Sequence, residues 1–119
     1  MLYTNLNHIE FTSQLENIID NNTNVVFCYG KMDYDCVSVF NALELLENEF
    51  PNIKIFDIEY DNPEFEDFKQ SISDLKLTKL PFVILFKNGK VKEAYTGTKN
   101  ENQLRNIFNT VYTKLELAI

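Results

Sequence analysis

The sequence predicts an α/β domain built on a central mixed sheet of four to five strands flanked by about four helices. Three observations carry that expectation. Stretches with strand character alternate with stretches of helical period along the chain, as in folds whose strands are joined by helical crossovers. The run VVFCY at 25–29 is continuously apolar, which suits a strand covered on both faces. Asn88-Gly89 joins two apolar segments, the strongest short signal for a hairpin and hence for an antiparallel pair.

The elements follow in order. Residues 2–6 predict a short edge strand. Asn7 followed by Glu10 reads as a capping-box start, with Phe11, Leu15, Ile18 and Ile19 on one helical face and an end near Asn21-Asn22. After the apolar strand, Gly30 is expected to open a loop. Val39, Phe40, Leu43, Leu46 and Phe50 then keep the helical period until Pro51 stops it. IKIFDIEY at 53–60 is the next strand. Asn62-Pro63 caps a third helix, whose apolar face is Phe65, Phe68, Ile72 and Leu75. Residues 82–86 and 91–95 are the hairpin strands. Asn100 caps the last helix with Gln103 at the box position, and Leu104, Ile107, Phe108, Val111 and Leu115 face inward. Val26, Cys28, Phe40, Leu43, Ile55, Val83, Leu85, Leu104 and Phe108 are the expected core. With no repeat and no Pro/Gly-rich linker, one domain is expected over residues 1–119.

Composition excludes several function classes. The 119 residues are 45% apolar, enough for one core. A formal charge of −7, with the eleven basic residues scattered, disfavours nucleic-acid binding, which needs clustered Lys and Arg. Membrane spanning needs about 18 or more successive apolar residues, and no such run occurs. The opening MLYTNLNHIEFTSQ lacks the basic and apolar regions of a leader, so a soluble, cytoplasmic protein is expected. Two cysteines and a single histidine cannot supply the four ligands of a Cys/His zinc centre, and no metal or other cofactor is implied. Cys28 in mid-strand and Cys36 at a helix start lie too far apart for a disulfide, whose Cα atoms stay within about 7 Å.

Four segments together resemble thioredoxin over residues 3–115: VVFCYGKMDYDC (25–36), DIEYDNP (57–63), KLPFVILFKNGKV (79–91) and the glycine of YTGT (95–98). The resemblance implies a thioredoxin fold. It places Cys36 at the second, buried cysteine of the Cys-x-x-Cys motif and Asp33 at the first, attacking one. It also implies that Pro81 is in the cis state beside this loop and that Leu80 pairs through its backbone with an extended substrate chain. Tyr29, Met32, Tyr34 and Gly97 complete the implied groove for a protein or peptide partner.

The chain departs from the family pattern at the residues that carry chemistry. Asp33 replaces the attacking cysteine, Phe27 the buried acid that assists proton transfer, Tyr29 and Met32 two tryptophans, and Asn41 a helix-kinking proline. The stretch from Pro63 to Pro81 is several residues longer than the resemblance implies. Thiol–disulfide exchange needs an exposed thiolate of depressed pKa and a second thiol to resolve the mixed disulfide. Asp33 supplies neither, although a carboxylate there can cap the helix or, as a sharper reading, act as a general base. Cys36 would lie in the first helical turn, favoured as thiolate by the dipole and opposed by Asp33 and Asp35.

The remaining polar residues have plain readings. His8 is expected to be a surface or capping residue, and Glu64, Glu66 and Asp67 a solvated helix face. Asp57, Glu59 and Asp61 read as alternate strand positions ending in a turn. Two functions from different classes stay open. One is a binding module that kept the groove around Pro81 and lost reductase chemistry; the other is a one-cysteine redox protein working through Cys36. A subunit that dimerises through the groove or a sheet edge is a third.

Overall fold

A computed structural model describes residues 4–71, 73–75 and 79–112. The elements are β1 (Asn7–Ile9), α1 (Thr12–Asn21), β2 (Asn24–Gly30), α2 (Tyr34–Glu49), β3 (Lys54–Glu59), α3 (Glu66–Ser71), β4 (Phe82–Lys87), β5 (Lys90–Thr96) and α4 (Glu101–Val111). Single 3₁₀ turns at Pro63–Phe65 and Ser73–Leu75 bracket α3.

The strands lie in the order β1-β3-β2-β4-β5. β3 is parallel to both β1 and β2, whereas β4 is antiparallel to β2 and β5. The helical crossover through α2 is what permits the parallel β2–β3 pair. Asn88 (φ 54°) and Gly89 (φ 80°) both take positive φ in the turn between β4 and β5, the backbone that a two-residue hairpin of matching twist demands.

Both faces of the sheet are covered, so the alternate side chains of β2 enter two separate cores. Val26, Cys28, Ile55, Val83 and Leu85 meet α2 and α4 through Val39, Phe40, Leu43, Leu46, Leu104 and Phe108. Val25, Phe27, Tyr29, Ile58, Ile84 and Phe86 meet Leu15, Phe65 and Phe68 on the other side. All nine residues expected in the core are buried.

Several expectations are corrected. Residues 4–6 are not strand; the edge strand is Asn7–Ile9, because those residues find partners in Phe56, Asp57 and Ile58 of β3. Asn7 therefore does not cap α1. Phe11 takes that position, is exposed, and donates its N–H to Oε1 of Gln14 at 3.0 Å. The third helix differs at its start: Phe65 sits in a 3₁₀ turn closed by its N–H to Asn62 O, the α-helix begins at Glu66, and Leu75 is exposed. Ile72 and Leu115 lie outside the described residues. Asn62 does cap at Pro63, and Asn100 and Gln103 form the expected reciprocal box on α4. None of the described helices is long and apolar enough to cross a membrane.

Candidate functional site

The strand-to-helix junction after β2 carries the residues singled out from the sequence. Asp33 is the N-cap of α2, with extended backbone (φ −121°, ψ 172°). Its Oδ1 accepts the N–H of Cys36 at 2.8 Å, and its carbonyl accepts the N–H of Val37 at 2.9 Å. The capping bond from Cys36 holds the Asp33 carboxyl below the ordinary carboxylate range, with the Lys31 ammonium contributing. That ammonium stands 3.9 Å from Oδ2.

Cys36, three residues on, is fully buried. Burial first, then hydrogen bonding to Asp33 and the charge of its carboxylate, push the thiol up to about 11, against an opposing Lys31 backbone hydrogen bond. The helix start thus shelters a neutral thiol under an ionised carboxylate. Gly30 ends β2 and the expected loop opens right after it, and the glycine there also has a packing reason. A Cβ there would stand 3.0 Å from Cys36 Sγ and 3.1 Å from Phe40 Cζ. Cys28 is buried as a free thiol like Cys36, and burial also raises it well above the usual thiol range.

The Leu80-Pro81 bond is cis. Phe82 pairs with Tyr29, so one register step further sets Pro81 opposite Gly30, at the strand end that leads into the Asp33 turn. Pro81 is buried and Leu80 half-buried, and the Pro81 carbonyl accepts the N–H of Gly97 at 2.9 Å, where Gly97 has φ 80°. Met32 is 47% exposed and Tyr34 89%. Together with Asp33, Val37, Ser38 and Asn41 they line an open depression of about 530 Å³.

Tyr29 is the groove residue that the structure removes. It is fully buried, stacked on Phe82 with centroids 4.7 Å apart, and its hydroxyl donates to the Tyr60 carbonyl at 3.3 Å. Phe27, where the resemblance implies a buried acid, is packed edge-on against Phe86 and tilted on Phe56. That position offers no proton acceptor.

Two polar features escaped the sequence reading. Asp57 is fully buried and hydrogen-bonded to His8 Nδ1 and to the Thr4 hydroxyl, which corrects the surface or capping reading of His8, while Asp57 holds the strand position expected of it. Burial raises the Asp57 carboxyl above its ordinary value, and the His8 and Thr4 bonds oppose that shift. His8 and Cys28 are its register neighbours on either side. The available signal was the alternation Ile53, Ile55, Asp57, which sets the aspartate on the same inward face as two isoleucines. Tyr112, just past α4, is buried with its hydroxyl donating to Phe86 O at 2.8 Å. Among the described residues, no group of three or more His, Cys, Asp or Glu side chains could hold a metal ion.

No protein-family profile matches the sequence, and no curated protein does. Solved structures do match. Thioredoxin from Plasmodium falciparum superposes with a TM-score of 0.73 at 14% identity, covering 88% of this chain and 98% of the other. Thioredoxin from Trypanosoma brucei brucei gives 0.72 at 21% identity, covering 92% and 93%. Thioredoxin O2 from Arabidopsis thaliana gives 0.72 at 15%, covering 94% and 98%. This chain has the thioredoxin-like α/β fold, with a five-stranded mixed sheet and four helices among the described residues.

Proposed function

We propose that this chain is a thioredoxin-fold binding module that docks a protein or extended peptide partner beside the cis-proline and does not run dithiol–disulfide exchange. The observation that carries the reading is the Asp33–Cys36 pair. A carboxylate accepts the helix N–H where an attacking sulfur would be needed, and the one thiol nearby is buried and held protonated near neutral pH. Exchange proceeds by thiolate attack and resolution by a second thiol. Support for docking comes from the exposed Met32 and Tyr34 that line the depression at the α2 start, since aromatic and Met side chains are enriched where proteins bind one another. The matched structures are thioredoxins, so a peptide groove at this end of the sheet is in keeping with the fold.

The test compares wild type, Asp33→Cys and Cys36→Ser in a disulfide-reduction assay with dithiothreitol as the terminal reductant. Wild type is expected to add nothing to the uncatalysed rate. The Asp33→Cys protein is expected to form a disulfide to Cys36 and to gain turnover, limited by the apolar Phe27 position and by the charge of Asp35. Robust wild-type turnover that vanishes in Cys36→Ser would reject the binding-module reading and make Cys36 a catalytic thiol working alone.

A further inference from the structure

The chain is acidic, yet its charge is unevenly placed. Between residues 79 and 100 there are five lysines (Lys79, Lys87, Lys90, Lys92 and Lys99) and one acidic residue, Glu93. This stretch is therefore positive in a molecule of net charge −7. It includes β5, which ends the strand order, so that among the described residues no strand lies beyond it. The other end of the sheet, β1, has only three residues. β5 has seven, about 23 Å of strand at the usual rise.

The ladder fixes which backbone groups face the open side. Gly97 donates to Pro81 O and Thr96 pairs with Phe82, so Gly97, Tyr95 and Glu93 bond inward to β4. By alternation, the N–H and C=O groups of Ala94 and Thr96 point outward along the edge. Residues 90–93 are all exposed.

We propose that the outer edge of β5 takes up an acidic, extended segment of a partner protein by strand addition. Main-chain groups of Ala94 and Thr96 supply the ladder, and the flanking lysines select carboxylates. The charge also disfavours a second copy at this edge. Two β5 strands side by side would bring two stretches of like net charge together, a device by which edge strands avoid pairing with themselves. This site is separate from the depression lined by Met32 and Tyr34.

The probe is a ten-residue peptide alternating Glu and Thr, with the Lys/Thr analogue as control, titrated into isotope-labelled protein at low and high salt. Binding of the acidic peptide alone is expected, weakening with salt, with slowed hydrogen exchange at the Ala94 and Thr96 amides. The exposed double variant Lys90→Glu/Lys92→Glu, checked for an unchanged melting midpoint, is expected to lose affinity by about tenfold or more for each reversed charge. No binding, equal binding of the Lys peptide, binding without protection of Ala94 and Thr96, or binding seated on residues 32–41 would each overturn the proposal.

Discussion

The Asp33 carboxylate and the Cys36 N–H meet at 2.8 Å across the first turn of α2. One of the orphan donors that every helix start presents is thereby satisfied by the side chain that stands where the resemblance implies a nucleophile. Capping the helix is the use of that position which the hydrogen bond records. Asp33→Ala should then lower stability by about 1 kcal/mol, with Asp33→Asn or Asp33→Ser retaining most of the cap. Urea unfolding at pH 7 checks this; an unchanged midpoint for Asp33→Ala would remove the capping role.

Asp33 and Asp57 should give opposite pH signatures. The folded-state pKa of Asp33 is lowered from 3.8, so its contribution is present above that value and is lost as pH falls through the lowered one. That of Asp57 is raised from 3.8. There the native state binds the extra proton, and stability falls as pH rises from about 3.8 through the raised value. Relative to wild type, Asp33→Asn should lose less stability on acidification. Asp57→Asn should gain stability relative to wild type as pH rises through that window. Parallel unfolding curves from pH 3 to 7 measure both, and differences that do not vary with pH would contradict the assigned directions.

The Cys36 thiol, pushed up to about 11 and fully buried, should resist alkylation in the native protein. At pH 8 about one thiol in a thousand would be ionised even if reagent could reach it. Iodoacetamide followed by mass analysis should leave Cys36 and Cys28 unmodified under native conditions and label both in denaturant. Rapid native labelling of Cys36 would mean that its shelter opens readily.

Phe40 and Phe108 fill the core between the sheet and the α2–α4 layer, with Phe108 edge-on to Phe50. Truncating either to alanine should cost about 3 to 5 kcal/mol. A loss below about 1 kcal/mol at both would show that these helix faces do not carry the core.

Features written in local sequence were legible, and those that depend on register were not. The hairpin at Asn88-Gly89, the doubly covered β2 and the caps at Asn62 and Asn100 each follow from a few neighbouring residues, and all are present. The Asp33 cap also follows from its place before α2. His8 and Asp57 are 49 residues apart, and they meet only because β1 pairs at residues 7–9. Tyr29 entered the groove through the resemblance, at the position of a family tryptophan, and a strand apolar on both faces gives no sign of its own as to which side chain reaches the surface. The third helix was overextended because Phe65 and Phe68 keep a helical interval whether or not the turn between them is 3₁₀.

The closest constraint on the α2 start is Gly30. A methyl group at that position would sit 3.0 Å from Cys36 Sγ, 3.1 Å from Phe40 Cζ and 3.3 Å from Cys36 Cβ, nearer than carbon and sulfur atoms pack without displacement. All three neighbours belong to buried side chains, and a close-packed interior yields little. Gly30→Ala should therefore cost about 1 to 3 kcal/mol by overpacking. Part of that cost belongs to the sulfur, so in a Cys36→Ala background the same substitution should cost less, with a coupling of about 0.5 kcal/mol or more in the double-mutant cycle. Relief should be incomplete, since Phe40 Cζ remains. Chemical denaturation of the four proteins decides it. Additive losses would mean that β2 and α2 shift apart to admit the methyl, and that Gly30 does not set how tightly the Cys36 thiol is enclosed.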